Sequence, residues 1–300
     1  VRAAATRARP SASRASGSIV IGAAVYEAGA REAPPRPPAV RAYAPAVQPR
    51  HALLAVAVAA AWGANFVAIA IGLEGMSPLV LASARFALSA LPVLVLYRDG
   101  PGVPWRPLLV ASAASGIAQF ALLFSGIEAG MPAGLSSLVL QVQALFTILI
   151  AAGVLGERPT RLQLAGVLVS MAGLLGIAVE RGASAGFAPF LLVIGAAVGW
   201  AVGNVATRVA RPTDPFRFVA WWSVGPPLPL LGLAAVVDGP GVLAAAARSV
   251  TWAAVAGLLY IVVVSTFFGY TVWNRLLARY PASAVAPFTL LVPIFGVLSA

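Results

Sequence analysis

PAGLSSLVLQVQALFTILIA at residues 132–151 and PASAVAPFTLLVPIFGVLSA at 281–300 align without a gap, 149 positions apart. Each opens on Pro-Ala and stays apolar to its end. Each is long enough, at roughly 1.5 Å per residue, to carry a helix across a ~30 Å hydrocarbon core. A second echo lies upstream. Trp62 in AWGANFVA answers to Trp200 in GWAVGNVATR, and Asn65 answers to Asn204 with a slip of one residue. Elements that recur in the same order mark two copies of one unit.

Working outward from these two segments, apolar runs fall at about 52–72, 77–97, 107–127, 132–155, 162–179, 187–207, 216–237, 251–274 and 281–300. The first copy holds five spans, an odd number, so the second enters the membrane upside down. Inverted repeats of this kind belong to transporters, with a site between the halves near the midplane. The expected fold is an all-α polytopic membrane protein of two inverted five-helix repeats, ten helices when complete and about nine here. The expected organisation is a disordered tail at 1–50, a first repeat at 51–180 and a second at 187–300. The counterpart of Ala151 is Ala300, so the repeat calls for about 28 further residues and a tenth helix.

Composition agrees. Hydrophobic residues are 60% of the 300 and charged residues 10%, with a mean hydropathy of +0.92, where a soluble domain carries about a quarter charged residues. Residues 1–50 hold 8 of the 20 arginines and 2 of the 9 acids, in a Pro/Ala/Arg-rich stretch with little to build a core. With no cysteine and one histidine, His51, thiol chemistry and a histidine metal cluster are excluded, and no cofactor is expected. The net charge of +11 is read as loop bias and not as nucleic-acid binding. With the N-terminus cytoplasmic, inside loops carry Arg98, Arg106, Arg158, Arg161, Arg208, Arg211, Arg217, Arg275 and Arg279, and outside loops only Arg181 and Arg248. That orientation obeys the positive-inside rule.

One arginine stands apart. Arg85, in SARFAL, falls inside the second span. An arginine at a helix centre costs about 2.5–3.5 kcal/mol on insertion scales. Counting along each span, Asn65, Arg85, Gln119 and Gln141 all lie roughly 10–14 Å below the outer face. A polar layer on four helices is expected to face the interior. There it would bind the polar end of a small-molecule substrate, Arg85 taking a carboxylate. For each amide the sequence leaves open the other reading, a hydrogen bond to a neighbouring helix. Gln143, about 200° round an ideal helix from Gln141, is expected to face elsewhere. At the same offset Gln119 maps to Phe268 and Gln141 to Leu290. Phe268 and Tyr270 are therefore expected as an aromatic wall of the cavity, and Trp62 and Asn204 as further substrate-binding residues. Trp273 is assigned to an interfacial aromatic belt. Gly195, Gly199 and Gly203 form a small-residue stripe, as do Gly166 and Ser170, and Pro226, Pro227 and Pro229 must interrupt the seventh span.

These stretches resemble a known family. WGANFVAIAIGL, ASARFALSALP, AGLSSLVLQVQALFTILIAAGVLGERPT and GYTVWNRLLARYPASAVAPFTLLVPIFGVLSA are similar to the EamA family of the drug/metabolite transporter superfamily, above all to its amino-acid metabolite exporters. The resemblance covers residues 51–300. It implies ten helices with both termini cytoplasmic, in a bacterial inner membrane, and export of amino acids or related carboxylates. The chain departs from the family at Ala70, where relatives often carry lysine, and it lacks the second closing Gly-Glu. Drugs, sugars or nucleotide derivatives are alternative cargoes. An intramembrane enzyme fits poorly, because there is no HExxH, no cysteine and no intramembrane Asp or His. A scaffold would not need the polar layer.

Overall fold

A computed structural model describes residues 47–182 and 187–299. The tail expected at 1–50 lies almost wholly outside them; only its last residues are described, and Pro49 already opens the first helix. Among the described residues every regular element is helical. We number the helices α1 (Pro49–Leu73), α2 (Pro78–Val95), α3 (Trp105–Ala111, Ser112–Ala118 and Gln119–Glu128), α4 (Ala133–Val139, Leu140–Val142 and Gln143–Leu155), α5 (Arg161–Gly182) and α6 (Phe187–Ala210). There follow α7 (Pro215–Trp222 and Pro227–Val237), the short α8 (Val242–Ser249), α9 (Trp252–Tyr260, Ile261–Tyr270 and Thr271–Arg279) and α10 (Ala282–Val285, Ala286–Leu291 and Val292–Ser299). Among the described residues seven of the expected spans are apolar helices of membrane length; in α5 the apolar stretch runs over Arg161–Gly173, and in α10 over Ala282–Gly296. Leu94, Leu162, Leu228 and Val236 are among many large apolar side chains left exposed on the outside of the bundle. In water such a surface would aggregate; against acyl chains it costs nothing. This is a multi-pass membrane protein.

Irregular turns recur at the spacing of the sequence echo. Ser112–Ala118 of α3 and Ile261–Tyr270 of α9 are π-helical and start 149 residues apart. Leu140–Val142 of α4 and Ala286–Leu291 of α10 are 3₁₀ turns, and the α-helical pieces that follow them start at Gln143 and Val292, again 149 apart. α7 is broken between Trp222 and Pro227, where prolines remove backbone donors.

Packing interleaves the halves. α6 lies against α3 and α4, while α1 lies against α9 and α10 and scarcely touches its neighbour α2; α2 and α7 pack on each other. Small residues permit these approaches. A Cβ at Gly199 would sit 2.7 Å from the Ala114 carbonyl oxygen, one at Gly203 would overlap the Ser115 hydroxyl, and one at Gly63 would overlap Phe295 on α10. The Gly195–Gly203 stripe is thus the seam between α6 and α3. Gly166 is different: a Cβ there would meet nothing within 4 Å, so it is not a close-packing position, and the Ser170 side chain lies outside the described part.

Candidate functional site

α2 carries Arg85 into the centre of the bundle, where the residue is 4% exposed. Its guanidinium lies over two rings, 4.6 Å from the Phe86 centroid and 4.4 Å from that of Phe120 on α3. The Tyr270 hydroxyl of α9 is beside it. No carboxylate joins it: among the described residues the ion pairs are Arg208–Glu157 and Arg217–Asp99. Nε and Nη2 of Arg85 are buried without a partner. Those two N–H groups form one fork of the guanidinium, the geometry that grips a carboxylate with two parallel hydrogen bonds.

The other members of the expected layer are buried too. Asn65, Gln119 and Gln141 are 9%, 3% and 1% exposed, and Oδ1 of Asn65 and Oε1 of both glutamines lack a partner. A buried unsatisfied amide oxygen costs about 1–3 kcal/mol, so these three, like the Arg85 fork, are polar groups for which the fold supplies no hydrogen-bond partner. Gln119 follows directly on the π turn of α3, and Gln141 sits in the 3₁₀ turn of α4.

An aromatic cluster fills the space between the halves. Trp62 stacks within 5.0 Å of Tyr270, 5.3 Å of Trp273 and 5.7 Å of Trp200, and its Nε1 donates to the Ser265 carbonyl at 3.0 Å. Trp222 packs 4.7 Å from Tyr270 and 5.8 Å from Phe86, and its indole N–H donates to the Ala111 carbonyl. The carbonyls that receive the two indoles lie within or at the edge of the two π segments, where the normal helical ladder is disturbed. Alignment of Pro78 with Pro215 sets Arg85 opposite Trp222. One half therefore presents a charge where the other presents an indole.

Three expectations need correction. Phe268 is 40% exposed and faces away from the interior. The inward pair is Gln119–Phe120 in α3 but Gly269–Tyr270 in α9, because the buried positions of the two helices match at a spacing of 150 residues and not 149. Asn204 is held by internal partners: its Nδ2 donates to Gln143 Oε1 (3.1 Å) and Thr147 Oγ1 (3.2 Å), and its Oδ1 accepts from Trp273 Nε1 (3.0 Å). It is a brace. Trp273, 1% exposed, is therefore a core residue and not part of an interfacial belt. Gln143, expected to face elsewhere than Gln141, is fully buried and joins the brace, donating to Thr289 Oγ1 on α10 at 2.5 Å, while Gln141 Oε1 has no partner.

Between Tyr270 and the end of the bundle where most arginines lie is a cavity of about 10 Å3, room for roughly one water. Ser115, Trp200, Asn204, Thr207, Trp222 and Asn274 line it together with Tyr270.

A model of the EamA-like transporter family matches residues 50–179 and again 188–300. The chain belongs to the EamA-like transporter family. It is 38% identical over 254 residues to a protein of Escherichia coli (strain K12) named probable amino-acid metabolite efflux pump, covering 83% of this chain and 85% of that one. It is 39% identical to a Salmonella typhimurium protein of the same name, with 82% and 84% covered. It is 31% identical to a probable terminal-alkyne amino-acid exporter of Streptantibioticus cattleyicolor, with 78% of each covered. A crystal structure at 18% identity superposes with a TM-score of 0.67 over 83% of this chain and 86% of that one, which shows the shared fold.

In this EamA-like transporter the arginine-rich end is tied shut across the two halves. Gly156, at φ +67, ends α4 in a left-handed turn and sends Glu157 back toward α6. Glu157 Oε1 accepts from Arg208 Nε at 3.0 Å, and its Oε2 accepts from the Ser283 amide at 3.5 Å. Arg208 Nη1 reaches the carbonyls of Leu277 and Ala278 at 3.3 and 3.2 Å. Nearby, Arg217 pairs with Asp99 at 2.9 Å and donates to the Gly100 carbonyl, while His51 meets the Tyr280 hydroxyl at 2.6 Å. Burial, and then the Asp214 carboxylate, push the neighbouring Tyr97 phenol above its ordinary value. At the opposite end the α1–α2 turn and α8 border an open cleft, crossed by the bond from Ser249 Oγ to the Gly75 carbonyl.

Proposed function

We propose that this protein exports amino-acid metabolites and related carboxylates across a bacterial inner membrane. The observation that carries the reading is the Arg85 guanidinium: buried, stacked on Phe86 and Phe120, and offering an empty Nε–Nη2 fork with no internal carboxylate. A substrate carboxylate supplies the missing charge and both hydrogen bonds. Asn65, Gln119 and Gln141 supply acceptor oxygens for the N–H or O–H groups of the same molecule. The names of the bacterial relatives support that class of cargo.

The rest of the reading follows from the architecture. Residues 51–180 and 187–300 act as two inverted repeats, supported by the two family matches and by the irregular turns repeated at 149 residues. The arginine-rich end is cytoplasmic by the positive-inside rule, which places the N-terminus inside. A one-water cavity cannot hold an amino acid, so the halves must move apart to admit one. The chain works as a transporter and not as an enzyme.

The test is an efflux profile. Bacteria expressing the wild type or Arg85→Ala are compared by mass spectrometry of the medium. A carboxylate accumulates outside wild-type cells and not outside the variant. Equal accumulation with equal membrane levels of both proteins rejects Arg85 as the site. Arg85→Lys keeps the charge without the fork and is expected to retain little transport.

A further inference from the structure

The small cavity and the arginine-rich end share two helices. Thr207, in the cavity wall, directly precedes Arg208 on α6; Asn274, also in the wall, stands one turn before Leu277 and Ala278 on α9, whose carbonyls Arg208 holds. The cavity's other face is made by Trp200, Trp222 and Tyr270, and Tyr270 borders Arg85. Trp200 Nε1 is a buried donor without a partner. Polar groups thus run from the bridge to Arg85. The bridge itself is sheltered, with side chains 16% and 11% exposed, and it ties α4 of one half to α6, α9 and α10 of the other.

We propose that the Glu157–Arg208 bridge is the gate over an entry route from the arginine-rich end to Arg85, and that Thr207 and Asn274 line that route. The inference rests on the transport reading above, since a gate has meaning only where something passes. Closed, the bridge leaves space for one water. Broken, it releases Arg208 from the end of α4 and opens the route from the side on which an exporter meets its cargo, while the Asn204 brace still holds α4 to α6 deeper in the bundle. Each ligand-free conformer is then populated according to the strength of this one cluster.

The chain contains no cysteine, so Asn274→Cys is a single reporter without further engineering. In membrane vesicles of known sidedness, a membrane-impermeant maleimide is applied from the arginine-rich side. With the bridge intact the reporter labels slowly. Adding Glu157→Gln raises the rate about tenfold or more, because the charge that holds Arg208 is gone. Arg208→Gln does the same and serves if the glutamate variant accumulates poorly; Arg208→Lys keeps the charge and stays near the wild-type rate. Rates are compared only for protein that is monodisperse on gel filtration. Equal labelling with and without the bridge, labelling from the opposite side alone, or no labelling in any variant overturns the gate. The readout needs no substrate. If Arg85→Ala leaves export intact while the bridge variants still expose Asn274→Cys, the carboxylate site fails and the gate stands.

Discussion

Replacing Asn204 with alanine separates a brace from a binding site. The wild-type amide makes three side-chain hydrogen bonds, to Gln143, Thr147 and Trp273, all buried. Side-chain hydrogen bonds between membrane helices average about 0.6 kcal/mol each, so three amount to roughly 2 kcal/mol. The upper end is set by what is left behind: the Trp273 N–H becomes a buried donor without an acceptor, at about 1–3 kcal/mol. Thr147 still donates to Gln143 Oε1 at 3.3 Å, so that group is not orphaned. We expect Asn204→Ala to lower the unfolding free energy by about 2–3 kcal/mol. The measurement is equilibrium unfolding in mixed micelles, followed by tryptophan fluorescence. Half-saturation of efflux should move less than twofold, because all three bonds of Asn204 go to the protein itself. A variant of unchanged stability that loses affinity would refute the reasoning and return Asn204 to the substrate site.

Other perturbations test the remaining geometry. Gly199→Val forces a side chain against the Ala114 backbone and is expected to abolish accumulation of folded protein, whereas Gly166→Val, with open space at its Cβ, leaves the gel-filtration profile intact. Phe268→Ala removes a lipid-facing ring and should leave the efflux rate unchanged; a large loss would return that ring to the interior. Trp62→Phe keeps most of the ring packing but loses the bond to the Ser265 carbonyl, and should lower stability by about 1 kcal/mol, read as a small drop in Tm. Asp99→Asn removes a pair whose carboxylate is 72% exposed while Arg217 keeps the Gly100 carbonyl; unfolding should shift by less than about 1 kcal/mol.

The spans were legible because lipid imposes a simple demand: a run of apolar residues of fixed length, with every backbone group satisfied inside its own helix. The repeat was legible because Pro132 and Pro281 each open a helix of the same register. Arg85 and the three amides were legible as inward because a polar side chain turned to lipid is costly. Direction around the helix was the harder quantity. Phe268 was misassigned because it was placed by the 149-residue offset, whereas the buried positions of α3 and α9 match at 150. Asn204 and Trp273 failed for another reason. Their partners are dozens of residues away, and one sequence does not say which polar groups find each other.

The interleaving of the halves sets a timetable for synthesis. Trp62 rests its indole on a carbonyl 203 residues further along the chain. At about 5–20 residues per second, that partner leaves the ribosome roughly 10–40 s after Trp62 does. During that interval α1 stands in the bilayer without the helices it packs on, its Gly63 notch empty and its Asn65 amide facing lipid or a temporary neighbour. The first half therefore has no finished core of its own to fall back on. Its earliest helix is among the last to be seated, and a stalled or shortened chain leaves that helix as a polar defect in the membrane.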